Sequence, residues 1–428
     1  MIDRLRQIWQ TRELRHTLIF VLLMLVVFRI LSHIPIPGVD PTGLQRLLEG
    51  NQILGLLNLF SGGGLQNFSI VMSGVGPYIT ASIIMQLLTM IVPKLEAIQK
   101  EGEQGQNRIN QYTRYLTVPM AILQAFGTLT FLKQQGAQSV LGSLTTFQTV
   151  TAIACIVGGS MLLMWIGEII NEKKVGNGIS LIIFAGIVAQ LPSSVQQFAS
   201  TYDPSQLFTI VTFLAVGIIT IAGVVFVTEG QRNIPVTYAR HVVGTQPASG
   251  GVDTHLPLRV NQAGVIPIIF AVSIILFPPL IAQFFTSSGT PWIANLAQWV
   301  QTTFQNQTIY GIMYFILVVA FTYFYTAVVF QPNQIAENLQ KQGGFIPGIR
   351  PGQSTSAYLS FVSNRIILAG ALFLGLIAVL PTIMQSTTNT QSLAIGGTSL
   401  LIVVSVVLES VKQIQAQLVM RDYESFYK

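Results

Sequence analysis

Gly74-Val75-Gly76-Pro77-Tyr78-Ile79 and Gly264-Val265-Ile266-Pro267-Ile268-Ile269 share one pattern, G-V-x-P-x-I, and both lie inside long apolar runs. A second pair behaves the same way. Gly178-Ile179-Ser180-Leu181-Ile182-Ile183 and Gly397-Thr398-Ser399-Leu400-Leu401-Ile402 both read G-x-S-L-x-I. Paired, Gly/Pro-interrupted apolar segments at corresponding places in two halves of a chain point to a membrane pathway built from an internal repeat.

Around these motifs the chain is overwhelmingly apolar. A spanning helix needs ~20 mostly apolar residues, and ten runs approach or exceed that length: 17–34, 71–92, 115–132, 148–168, 179–199, 207–228, 262–285, 309–330, 366–383 and 395–411. The first motif pair falls in the second and seventh runs, and the second pair opens the fifth and tenth. An odd number of spans per half means that the second half enters the membrane upside down, so the repeats are related by an axis in the membrane plane. The expected fold is therefore an all-α polytopic membrane protein, with ten transmembrane helices in two inverted five-helix halves, 17–199 and 200–411. Flanking them are an N-terminal segment, 1–16, and a tail, 412–428. Composition agrees: 51% of the 428 residues are hydrophobic and 9% are charged, against about 25% charged in soluble chains. Segment 53–68 starts apolar but is too short to span, and Ser61-Gly62-Gly63-Gly64 interrupts it. It reads as a re-entrant piece.

Lys and Arg orient the chain. All of the 22 except Arg29, Arg46 and Lys133 fall in one set of loops and tails. By the positive-inside rule both termini and the loops 93–114, 169–178, 229–261 and 331–365 are cytoplasmic. Arg29 lies inside the first run. In the N-terminal stretch Ile2, Leu5 and Trp9 fall near one helical face with four Arg around them, a pattern suited to an anionic leaflet. The loop 286–308 on the opposite side holds no Lys or Arg, and its Trp292 and Trp299 read as interface anchors.

Two cytoplasmic loops are long. In 229–261, Ile234, Val236 and Tyr238 alternate with polar residues, and Gly244–Asp253 carries turn residues, which predicts a hairpin-like arm. In 331–365, Pro332 opens a short amphipathic helix with Ile335 and Leu339 on one face, and Gly343-Gly344 stops it. Arg350 follows, framed by Pro347-Gly348 and Pro351-Gly352.

Several chemistries are missing from the sequence. It contains no H-E-x-x-H, G-x-S-x-G or P-loop motif, and its four His are scattered. The single cysteine, Cys155, excludes an internal disulfide, and no Cys/His cluster suggests a metal or other cofactor. No Asp or Glu lies mid-span; Glu168 and Glu409 sit at cytoplasmic ends. Coupled transporters bury ionisable groups along their pathway. A solute transporter with inverted repeats is thus the weaker alternative, and a membrane enzyme weaker still.

Several stretches closely resemble the SecY family of protein-conducting channels, over nearly the whole length. They are Ile34-Pro35-Ile36-Pro37-Gly38, Phe60-Ser61-Gly62-Gly63, Pro77 to Leu88, Gly176-Asn177-Gly178-Ile179-Ser180, Thr254 to Asn261, Pro347 to Gly352 and Gly396 to Ile402. The resemblance implies an hourglass pore between two clasped halves in the bacterial inner membrane. That pore would pass unfolded preproteins and open sideways into lipid between spans two/three and seven/eight. It implies a pore ring of Val75, Ile79, Ile183, Ile269 and Ile402, with valine where the family has isoleucine at the first position. Four of these five sit inside the repeated motifs. A ring of branched aliphatic side chains dewets when no chain occupies it and yields around one without binding it.

The resemblance also implies a plug over Leu56–Phe68, including Leu57, Phe60, Gly62, Gly63 and Gly64, with the glycines supplying hinge freedom. It places a lateral gate where Thr80, Gln86, Asn261 and Gln262 can hydrogen-bond across the seam, at ~0.6–2 kcal/mol each. Docking surfaces are implied around Arg240 and Arg350. The implied partners are SecE, SecG, the SecA ATPase and the ribosome, with a contact to its RNA. The implied substrates are preproteins, signal peptides and membrane segments released to lipid.

Overall fold

A computed structural model describes residues 11–36, 58, 61–134, 145–200, 207–238, 253–286, 290–388 and 396–426. Residues 1–10 of the N-terminal segment, Leu56, Leu57 and Phe60 of the expected plug, and Arg240 at the end of the arm lie outside these. Each of the ten apolar runs carries helix. The first half contributes α1 (Arg12–Leu31), α2 (Gly76–Ile91), α3 (Pro93–Lys100), α4 (Glu103–Gln134), α5 (Thr146–Glu172) and α6 (Gly178–Ser200). The second contributes α7 (Leu207–Glu229), α8 (Ile266–Ile275), α9 (Phe277–Phe285), α10 (Pro291–Gln305), α11 (Gln307–Val329), α12 (Pro332–Lys341), α13 (Gln353–Thr388) and α14 (Gly396–Phe426).

The two G-V-x-P motifs build one device twice. Gly74 and Gly264 take left-handed φ values of 57° and 64°, which an L side chain adopts only at a cost of about 1–2 kcal/mol. Val75 and Val265 then cap the helices with φ/ψ of −90°/4° and −92°/−9°. Pro77 and Pro267 occupy the second helical position, where the missing N–H breaks no bond. The first helical hydrogen bonds run from Ile79 N–H to Val75 and from Ile269 N–H to Val265. The motif thus starts a helix inside an apolar run.

That start makes α2 short. Its 16 residues cover ~24 Å, less than the ~30 Å hydrocarbon core. The non-helical chain before it makes up the difference, and Ser61, Leu65, Phe68, Val71 and Met72 in that stretch are buried in protein. Irregular backbone is tolerated at membrane depth only under such cover.

Three boundaries differ from the expectation. The run 262–285 is two helices, because Pro278 and Pro279 at the start of α9 withhold the N–H groups that α8 would need to continue. The loop 93–114 is mostly helical, with α3 bent by 100° from α2. The loop 331–365 ends at 353, where α13 already begins.

The two strands of the expected arm form: β1 (Gln231–Tyr238) pairs antiparallel with β2 (Asp253–Arg259), Ile234 opposite Leu256, while the connecting turn, 239–252, lies outside the described residues. The second loop adds a strand that the sequence did not announce, β3 (Gly344–Phe345), against the other edge of β1. Ile234, Val236 and Leu258 share a small core with Leu339 of α12, Ile346, and Leu359 and Val362 of α13. Glu229 of α7 pairs with Lys412 of α14 at 2.8 Å, and Arg114 of α4 with Glu168 of α5 at 2.7 Å.

Candidate functional site

Val75, Ile79, Ile183, Ile269 and Ile402 come from four helix starts far apart in sequence, and all five belong to one buried apolar cluster. None is more than 4% exposed. The helix-start device explains the convergence: each branched side chain lies within a turn or two of an N-terminus that faces the interior. Val265, the repeat partner of Val75, sits in the same cluster at 1% exposure. The expected ring omitted it, although the G-V-x-P alignment carried the signal.

The seam between the halves is closed. α2 packs on α8, and α4 packs on α9. Beside the cluster, a cavity of about 40 Å³ lies among Leu65, Ser73, Thr80, Gln124, Thr128, Ser273 and neighbouring apolar residues. That is room for about three waters. The hydroxyl of Ser73 is buried without a protein partner there.

The four expected gate residues do not tie the seam. Thr80 donates to the Gly76 carbonyl of its own helix at 3.1 Å and accepts from Gln124 of α4 at 3.3 Å. The Gln86 amide meets Ser82, also on α2, at 3.4 Å. Asn261 is buried with both amide atoms unpartnered, and Gln262 Oε1 is likewise unmet. Among the described residues none of the four bonds across the seam, which is held by apolar contact. Helices that start at matched glycines meet with aliphatic faces, and Thr80 and Gln86 are spent on turns of their own helix.

The described part of the expected plug is tightly seated. Asn58 closes it on itself: its carbonyl accepts from Ser61 Oγ and its side chain from the Gln66 N–H. Arg29, the charge inside the first span, donates from Nη1 to the Gly62 carbonyl at 3.1 Å. Asn67 donates to the Ser32 carbonyl at 3.1 Å, and Pro35 and Ser69 form a bridge that links this segment to the end of α1. Leu65 and Phe68 sit in a second cluster with Ala125, Leu129 and Ile156. Packing gives Gly62 a role of its own. Gly62 has φ 65°, and a Cβ on it would stand 2.5 Å from the Phe28 ring and 3.0 Å from the Gly186 backbone. Gly62→Ala therefore meets two costs: a left-handed backbone, about 1–2 kcal/mol, and overpacking, about 1–3 kcal/mol. The expected outcome is a tenfold or greater rise in resting ion leak, read in planar bilayers. An unchanged leak would show that this contact does not hold the seal.

Arg350 stands exposed at the tip of its loop. Gly348 and Gly352, each after a proline, take φ of 83° and 96°. The Ile349 N–H closes the first turn on the Ile346 carbonyl, and Thr355 Oγ1 holds the Arg350 carbonyl at 2.9 Å. The backbone is fixed, while the guanidinium has no hydrogen-bond or ion-pair partner among the described residues.

A buried aliphatic cluster at the meeting of repeat-related helices, among several long apolar helices, defines a polytopic membrane protein. The SecY family model matches residues 69–411. The chain is 44% identical to the protein translocase subunit SecY of Streptomyces galbus, over the full length of both. Its fold matches a structure described as a protein-conducting channel, with a TM-score of 0.61 at 19% identity, covering 93% of this chain and 91% of that one. It also matches Sec61 in a canine ribosome-channel complex, with a TM-score of 0.56 at 19% identity, covering 92% and 90%. The chain belongs to the SecY family.

Proposed function

We propose that the chain is the pore subunit of a bacterial protein translocase. It passes unfolded preproteins across the inner membrane and releases spanning segments sideways into lipid. Halves 17–199 and 200–411 act as two shells, and both termini face the cytoplasm. The observation that carries this reading is the burial of Val75, Ile79, Ile183, Ile269 and Ile402 in one cluster next to a closed seam. An aliphatic constriction seals against ions yet offers a passing chain no site to hold it. The tethered segment ending at Phe68 is the plug, and the gate lies between spans two and three (α2, α4) and spans seven and eight (α8 with α9, α11). Thr80, Gln86, Asn261 and Gln262 line that gate, and the unmatched amide groups of Asn261 and Gln262 are left for an incoming segment.

The arm near Arg240 and the loop at Arg350 are the docking surfaces. The canine relative is described in a ribosome-channel complex, which supports a ribosome as one partner; SecA as motor and SecE and SecG as bracing subunits complete the reading. A rigid loop with one uncommitted guanidinium suits a forked bond to a carboxylate or phosphate. Arg350→Lys keeps the charge and loses the fork. We expect it to lower ATP-driven translocation of a preprotein at least tenfold at matched channel levels. Full activity in the Lys variant would reduce Arg350 to a topology charge. Uptake of a small solute by proteoliposomes, without preprotein transport, would favour the transporter reading instead.

A further inference from the structure

We infer that the Trp292–Leu296–Trp299 face of α10 is seated in the lipid interface of the non-cytoplasmic leaflet, beside the lateral gate. The side of the membrane rests on the topology proposed above; the lipid contact does not.

The helix divides into three sectors. One is packed: Ala297 and Phe304 are buried, with Ile293 and Val300 half-buried beside them. A second is polar and exposed, with Asn295, Gln298, Thr302 and Gln305. Between them runs an apolar stripe at i, i+4 and i+7: Trp292 is 67% exposed, Leu296 55% and Trp299 64%. An aqueous surface gives no reason to hold two indoles and a leucine in a row. A helix lying in the boundary between headgroups and acyl chains requires this geometry, with its apolar face ~5–10 Å deep. Indole suits that depth, because its ring is apolar and its N–H reaches the wet zone.

The flanks show what covers the stripe. α10 packs on both α9 and α11. Those helices carry exposed aliphatic and aromatic side chains, Ile281 and Phe285 on α9 and Ile309, Ile312 and Ile316 on α11. In a multi-pass membrane protein such side chains face lipid, and α10 is packed directly on the two helices that carry them. α10 also has no charged residue. Its attachment therefore needs no anionic headgroup, unlike that of a basic amphipathic helix.

The test uses the full channel complex in vesicles, with Cys155→Ser and cysteine-free partner subunits. A small fluorophore is placed at Leu296→Cys on the stripe or Gln298→Cys on the polar sector. Trp299→Cys is the second stripe position should the first disturb packing. Lipids bearing a nitroxide near the carbonyl end of the acyl chain should quench the stripe positions several-fold more than position 298. Iodide in the water should do the reverse. The pattern should be the same in pure phosphatidylcholine and in vesicles with phosphatidylglycerol. Equal iodide quenching at 296 and 298 would overturn the proposal, as would protection of the stripe from both quenchers, which would mean a protein covers it. Dependence on phosphatidylglycerol would overturn the charge-independent attachment. A membrane-impermeant maleimide added to intact cells that carry Gln298→Cys separates the two readings. A thiol at position 298 that reacts only after the cytoplasm is opened overturns the topology while leaving lipid contact intact.

Discussion

Ile402→Asn is expected to raise the resting ion conductance of the channel about 10- to 100-fold and to relax its choice of client. Ile402 is 3% exposed, in the apolar cluster with Ile79, Ile183 and Ile269. An amide placed there without partners costs about 1–3 kcal/mol in the sealed state, and it recovers that energy when water enters. Each 1.4 kcal/mol is a factor of about ten in the population of the wet state. Ile402→Val, which keeps the branched aliphatic surface, should change little. The readouts are planar-bilayer conductance without substrate and export of a client with a defective signal. If both stay at wild-type levels in the Asn variant, the proposed ring is ordinary helix packing.

Removing the proposed plug should open the seal more fully, but where the deletion ends decides whether the protein survives it. Deletion of 56–64 removes Gly62 and its contact with Gly186, together with the carbonyl that Arg29 holds. It should give a folded channel with high standing leak. Extending the deletion through Phe68 also removes Leu65 and Phe68, which are 0% and 1% exposed in the cluster with α4 and α5. Emptying such sites costs about 2–5 kcal/mol each, so the longer deletion should reach much lower levels in the membrane. Detergent-extracted yield and bilayer leak, measured on both variants, separate the outcomes. A shorter deletion that is degraded and never leaks would make 56–64 part of the structural core.

What could be read from residues alone follows from the physics of the solvent. Bilayer thickness imposes a run length, so the helical character of the ten apolar stretches was visible. The inverted repeat was visible because Gly74/Gly264 and Pro77/Pro267 serve a backbone need that few other residues meet. The hairpin was visible from the alternation of Ile234 and Val236. The break at Leu276 also had its cause in plain view, in Pro278-Pro279, but an apolar run alone does not distinguish one span from two short helices. That the four expected gate residues do not bond across the seam was not legible. Whether Thr80 turns toward Ile269 or back to the Gly76 carbonyl depends on rotamer and on Gln124, which is distant in sequence. The partner of Arg29 was hidden for the same reason, since Gly62 offers only a backbone oxygen. β3 was hidden because two residues, Gly344-Phe345, make no pattern.

That two-residue strand changes how load travels. Through it the loop bearing Arg350 and the hairpin from β1 and β2 form one plate, anchored on α7, α12 and α13. The same plate leads into α8 through only six residues, Val260 to Val265, with Val260 bonded back to Gly230 and Gly264 in a left-handed turn. If the proposed motor grips the plate at either loop, its pull reaches α8, the proposed gate helix, through a short tether with a single swivel. Under the proposed topology and docking the plate would be a crank as well as a landing pad, and tilting it by a few degrees would turn α8 without touching the membrane.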